Sequence, residues 1–338
     1  MLKHIDGFDH YADIGKKGSV VEPYLKAAGY DFRNATDETF AIDVGRRDGA
    51  KSLKFTVERS SSTNASLSWS FTPTGDYSCF GFALKANGSR MRVCRIENLV
   101  DLEWNSEDGK LEINDQKGVN PLILNAWYYF ELECDKSAKT VTVWVNNEKQ
   151  ITANISDSWP EKMTIVWGQV GTAQNAGIQF IDDFYAMDSS GSVNTERLGP
   201  IEVATRAPTA DVTKEWEIVN GVGSDHFKVA AQLEPGKPSA PYLQSNKAGA
   251  KDVFRSNAVL PTNNKVFGVS VVAYARKGDL DDRKLGMMVK TDGGQEKETQ
   301  VPLTEDYKYY QITHEQTPGG TAWNKNNVES LEFGIITR

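Results

Sequence analysis

Trp127-Tyr128-Tyr129-Phe130-Glu131-Leu132-Glu133-Cys134, and then Thr140-Val141-Thr142-Val143-Trp144-Val145-Asn146-Asn147, carry the decisive pattern of this chain. From Phe130 and from Val141 every second residue is apolar, and Glu, Thr and Trp144 stand between them. Successive side chains of a strand point to opposite faces, so this alternation predicts antiparallel strands with one dry and one wet face. Phe130, Leu132 and Cys134 are assigned to the dry face, and Glu131, Glu133 and Asp135 to water. The pattern extends outward from there. Leu53, Phe55 and Val57 repeat it, then Leu67, Trp69 and Phe71, then the segment Cys79 to Leu84. Pro73-Thr74-Gly75-Asp76, Asp108-Gly109 and Asn146-Asn147 punctuate the series with residues suited to tight turns. Many short strands separated by turns predict a β-sandwich or jelly roll across residues 39–188.

The flanks read differently. Residues 1–38 lack a clear period and are expected to form an N-terminal arm, with a short helix or an extended stretch over Val20 to Ala28. Residues 189–214 are rich in Ser, Gly and Pro and read as a linker, though Ile201 to Ala204 is strand-like. A second period-two series follows, clearest at Val266 to Tyr274, Lys284 to Thr291, Tyr307 to Thr313 and Val328 to Ile336. It predicts a C-terminal β-sandwich over 215–338. The expected fold class is therefore all-β, two sandwiches in series.

The bulk numbers exclude several classes. The formal net charge of −8 with scattered basic residues argues against a nucleic-acid groove. No apolar run approaches the roughly 18 residues of a membrane helix. The start, Met1-Leu2-Lys3-His4-Ile5-Asp6, lacks the pattern of a signal peptide, so synthesis and retention in a cytoplasm are expected. Cys79, Cys94 and Cys134 are far apart and sit in apolar-alternating segments, which predicts reduced core residues and no zinc site.

Few residues suggest chemistry. Glu131, Glu133 and Asp135 share a strand face at about 6.5–7 Å spacing, within reach of a retaining glycosidase's carboxylate pair; but Glu is central and Asp last, unlike the glycosidase order, and a solvated face is the simpler reading. His4, His10, His226 and His314 have no motif partners. Asp279 to Arg283 reads as a solvated hairpin loop. No catalytic residue, cofactor or metal is assigned. Among the eight tryptophans, Trp69, Trp127 and Trp144 read as strand core. Trp104, Trp159 and Trp323 stand near turns and are the candidate glycan or interface contacts, since an exposed Trp can stack on a sugar or anchor a protein.

Asn125 to Asn147, with Ile178-Gln179-Phe180-Ile181-Asp182-Asp183-Phe184-Tyr185, resembles the middle and closing strands of a concanavalin-A-like (laminin-G-like) jelly roll. Taken in order, further stretches resemble tailed-bacteriophage virion structural proteins. They are Gly45-Arg46-Arg47-Asp48-Gly49, Leu198-Gly199-Pro200-Ile201-Glu202-Val203, Pro208 to Asp211, Pro318 to Trp323 and Val328 to Gly334. That resemblance implies a non-enzymatic virion component assembled in the host cytoplasm. It implies several copies in contact with one another and with other virion proteins, without nucleic acid or membrane insertion. The alternative it leaves open is a carbohydrate-binding module that reads a host surface glycan. A calcium cluster of the kind some jelly rolls carry does not map onto this chain: in a regular strand Asp182 and Asp183 point to opposite faces.

Overall fold

The computed structural model describes residues 1–34, 36–57, 65–88, 91–105, 107–155, 158–168, 177–261 and 264–338. The chain forms two units, Met1–Ala204 and Thr205–Arg338. Both are all-β, as the alternation predicts.

The first unit contains β1 (Leu2–Asp6), α1 (Gly18–Ala27), β2 (Asp31–Arg33), β3 (Phe40–Val44), β4 (Lys51–Val57), β5 (Ser66–Phe71), β6 (Tyr77–Gly88), β7 (Met91–Ile96) and β8 (Val100–Trp104). It continues with β9 (Leu111–Ile113), β10 (Gln116–Lys117), β11 (Trp127–Asp135), β12 (Thr140–Val145), β13 (Glu148–Asn154), β14 (Met163–Gly168) and β15 (Gly177–Asp188). An eight-stranded sheet runs β13-β12-β11-β6-β15-β4-β3, with β1 added on β15, and a seven-stranded sheet runs β10-β9-β8-β7-β14-β5-β2. The chain crosses repeatedly between them, giving a jelly-roll sandwich. Rings from both sheets meet in the core: Trp167 of β14 lies edge-on to Phe82 of β6 at 5.6 Å and to Phe184 of β15 at 4.8 Å. The β12–β13 turn is the hairpin that the sequence announces, with Asn146 and Asn147 both at positive φ (48° and 70°).

Two boundary expectations need correction. Residues 1–38 are not a free arm. β1 pairs antiparallel with β15, and Phe8, Tyr11, Leu25, Tyr30 and Phe32 are buried. Asp6 fastens this region by accepting hydrogen bonds from Phe8 N (2.7 Å), Tyr11 OH (2.6 Å) and Tyr30 OH (2.9 Å). Residues 189–214 are not a free linker either. Residues up to Val203 lie on the first unit, and Ala210–Lys214 is a strand of the second.

The second unit contains β16 (Ala210–Lys214), β17 (Glu217–Val219), α2 (His226–Ala230), β18 (Tyr242–Gln244), β19 (Lys251–Arg255), β20 (Val269–Ala275), β21 (Lys284–Lys290), β22 (Glu296–Pro302), β23 (Lys308–His314), α3 (Lys325–Glu329) and β24 (Glu332–Thr337). A five-stranded sheet, β16-β19-β24-β21-β22, is faced by the β20–β23 pair. Val271 and Ile312 pack there on Leu285, Met287 and Val289, with Trp323 and Leu331 closing the core. The last strand expected from the sequence, from Val328, starts only at Glu332. Asn324 caps the short helix α3 by accepting Asn327 N (3.0 Å), and that helix takes up the chain before it. Among the described residues, no helix is long and apolar enough to cross a membrane.

Trp167→Ala would remove the ring that joins the two sheets. We expect a loss of about 3–5 kcal/mol, seen as a lower urea midpoint, whereas Trp167→Phe retains most of the stability.

Candidate functional site

Alternation along β11 sends Phe130, Leu132 and Cys134 into the core, all fully buried. It sends Tyr129, Glu131 and Glu133 to the outer face of the eight-stranded sheet. Water was expected there, but residues 197–203 cross that face as a strap, and Glu131 is only 1% exposed. This corrects the solvated-face reading. The physical reason is hydrogen-bond supply. The strap has no strand neighbour, so its backbone N–H groups need other acceptors when they leave water. Glu131 Oε1 accepts Gly199 N (2.8 Å) and Tyr185 OH (2.5 Å), while Oε2 accepts Arg197 Nη1 (2.9 Å). Arg197 also reaches Asn147 Oδ1 (2.7 Å) and lies 4.0 Å from the centroid of Trp144. Leu198 N donates to Tyr185 OH (3.2 Å) and Arg197 N to Tyr77 OH (3.0 Å). Tyr77 OH in turn donates to Glu133 Oε1 (2.9 Å), whose other oxygen accepts Trp144 Nε1. Asp135 closes the next turn, accepting Ser137 Oγ (2.7 Å) and Ala138 N (2.9 Å). The three acids thus anchor backbone and aromatic groups. Glycine at position 81 is required here, because a Cβ there would lie 2.0 Å from the Tyr185 ring.

A second anchor sits on β15. One extra residue between Asp182 and Tyr185 forms a bulge, with Asp183 at φ 51°. The bulge overturns the opposite-face expectation for Asp182 and Asp183: both reach the Arg46–Arg47 turn. Arg46 N donates to Asp182 Oδ2 (2.9 Å), Arg47 Nη2 to Asp183 Oδ1 (2.7 Å), and Arg46 Nη2 lies 3.0 Å from Asp183 Oδ2. Strap residues complete the cluster. Val203 N donates to Asp183 Oδ1 (2.8 Å), Arg46 Nη2 to Ile201 O (2.6 Å), and Glu202 pairs with Arg47. Three stretches that the sequence resemblance singled out, around Arg46, Asp183 and Ile201, therefore meet in space.

The candidate tryptophans separate. Trp104 is 2% exposed, its Nε1 donating to Gly109 O (3.1 Å) with the ring edge-on to Tyr128. Trp323 is 4% exposed and donates to His314 O (2.8 Å). These two serve the core, which corrects their reading as surface contacts: proximity to a turn does not expose a ring whose N–H finds a buried carbonyl. Trp159 is half-buried and lines a small cleft with Pro73, Asp76, Tyr77, Lys136, Pro160 and Glu161.

Sequence reasoning missed two histidine contacts. His4 Nε2 lies 2.9 Å from Tyr30 OH and His226 Nδ1 lies 2.6 Å from Asp252 Oδ2. Both pairs span 26 residues, and no local motif marks them. Cys79, Cys94 and Cys134 are buried and free. Among the described residues, no group of three or more His, Cys, Asp or Glu side chains is placed to hold a metal ion.

No known protein family matches the chain, and no curated protein does. Solved structures similar to it include the polysaccharide lyase family 7 alginate lyase AlgAT5, at 13% identity over 48% of this chain and 95% of that one, TM-score 0.35. LamAcat from Zobellia galactanivorans matches at 13% identity over 56% and 98%, TM-score 0.36. Lectin II from Ulex europaeus matches at 10% identity over 55% and 98%, TM-score 0.35. At such scores the similarity carries no functional weight, and the jelly roll stands on its own sheet order.

Burial, and then the neighbouring Asp183 charge, push Asp182 up to about 8 from an ordinary 3.8. The folded chain therefore holds that proton more tightly than the unfolded chain. Its stabilising effect is complete below about 4 and is lost as pH rises towards about 8. Thermal midpoints should fall between pH 6 and pH 8, and Asp182→Asn should flatten that slope, even though the amide keeps only one of the two acceptor oxygens.

Proposed function

We propose that this protein is a non-enzymatic carbohydrate-binding module that reads a glycan at the Trp159 cleft. The observation that carries the reading is the half-buried Trp159, which lines a cleft with Pro73 and Pro160, bordered by Asp76, Lys136 and Glu161. An indole face offers a sugar ring a flat apolar surface, and the polar border supplies donors and acceptors for its hydroxyls. Rim charges of both signs favour a neutral sugar. The cleft is small, so a sugar would rest against the indole rather than be enclosed, and each contact is weak. Several copies displayed together raise the avidity without any new contact. Glu131 and Glu133 are engaged beneath the strap and Asp135 in the β11–β12 turn, which favours binding over turnover.

A structural role in a tailed-phage particle is the second reading, with other virion proteins and further copies of this chain as partners. The feature that favours it is an exposed apolar stretch between β10 and β11, where Val119 is 63%, Ile123 74% and Leu124 37% exposed. Exposed apolar side chains suit burial against a neighbour. The two readings are compatible: a particle component can also read a host surface.

A glycan array tests the first reading. Wild type should retain a defined set of glycans, with Trp159→Ala weakening retention about tenfold or more, near 1.4 kcal/mol per decade. Equal retention by Trp159→Ala, or none by wild type, would sink it.

A further inference from the structure

We propose that residues 197–203 act as one cooperative latch worked through Tyr77, and that a sugar held in the Trp159 cleft keeps this latch closed. The second half rests on the reading of the cleft as a sugar site; the first half does not.

Tyr77 belongs to both places. It lines the cleft, and its hydroxyl accepts the strap's Arg197 N–H while donating to Glu133. The turn before it is tied to the end of β15 as well. Thr74 N donates to Asp188 Oδ2 (2.8 Å) and Ser189 N to Tyr77 O (3.3 Å). A shift of the cleft wall therefore moves the first anchor of the strap.

The remaining anchors follow because they are polar and shared. Pro200 and Glu202 are exposed and Leu198, Ile201 and Val203 are half-buried, so partial apolar burial and these shared polar contacts hold the segment down together. Glu131 serves Arg197 and Gly199 together, and Arg47 serves Glu202 and Val203 O together. Loss of one contact lets water reach its neighbours, and segments held this way open at a lower free energy than the core. The second unit begins at Thr205, two residues beyond the strap. A sugar that needs Tyr77 in its latched position binds the closed form better, and by linkage the closed latch binds the sugar better.

Hydrogen exchange on the full chain without any sugar tests the latch. Tyr77→Phe keeps the ring and removes the hydroxyl. The amides of Gly199 and Val203 donate to Glu131 and Asp183, not to Tyr77. They should exchange about tenfold faster together with Arg197, while β11 and β15 stay protected. Faster exchange at Arg197 alone would overturn the cooperative latch. The sugar half is read on the glycan array with Arg197→Ala, a strap change outside the cleft, which should weaken retention about tenfold. Retention equal to wild type would refute the coupling. A wild type that retains nothing would remove the sugar half together with the cleft reading, and the exchange result would still decide the latch.

Discussion

A carboxylate inside a protein must have its oxygens engaged, and Glu131 imposes that requirement at the middle of the large sheet. An ionised group taken out of water without partners costs several kcal/mol, so whatever covers Glu131 must bring donors. The strap brings a backbone N–H and a guanidinium, and β15 brings the Tyr185 hydroxyl. The same requirement explains the bare backbone at Gly81, since the Tyr185 ring reaches Glu131 only by lying where a Cβ would be. It also explains how a strap of Arg, Leu, Gly, Pro, Ile, Glu and Val without a strand neighbour stays ordered. Its stability comes from charge-assisted bonds, each worth about 1.5–3 kcal/mol where one partner is ionised, rather than from an apolar stripe.

This is also where the sequence stops being legible. Period-two alternation depends only on neighbours two residues apart, so β4, β5, β11 and β12 can be read directly from their own residues. The small-residue composition of 189–214 looks like a linker because composition cannot register acceptors lying 66 and 68 residues away on β11. The outward acids of β11 look solvated for the same reason. The Asp182–Asp183 bulge is invisible because a single inserted residue leaves no mark on apolar periodicity, yet it brings both side chains towards one turn. Trp104 and Trp323 mislead in another way: being near a turn says nothing about whether an indole N–H finds a carbonyl. Of the candidate contacts, Trp159 is half-buried, and nothing in its local sequence separates it from the other two.

Charge is distributed unevenly between the halves. Residues 205–338 contain 17 Lys and Arg against 17 Asp and Glu, so the formal charge of −8 lies entirely on residues 1–204. Much of the acidic excess there is used for anchoring. Asp6 ties the N-terminal strand, Asp188 ties the Pro73 turn, and Glu131 and Asp183 tie the strap. In the second unit Asp252 plays the equivalent part, accepting Glu215 N and Trp216 N while it holds His226. Buried aspartates and glutamates thus do what disulfides do elsewhere, joining distant segments of a chain whose three cysteines are unpaired.

The occupied sheet face has a consequence for recognition. A jelly roll offers a ligand either the outer face of a sheet or the loops at the ends of the sandwich. With the strap bonded across the row of Glu131 and Tyr185, that part of the face is spent on structure. The loop end stays open to a ligand, and turns there can vary without disturbing the core. The Trp159 cleft lies at that end, formed by the β5–β6 turn, the β11–β12 turn and the segment before β14. Tyr77 is the first residue of β6 and the point at which the loop end meets the covered face. The same side chain thus both lines the cleft and holds Arg197 N of the cover.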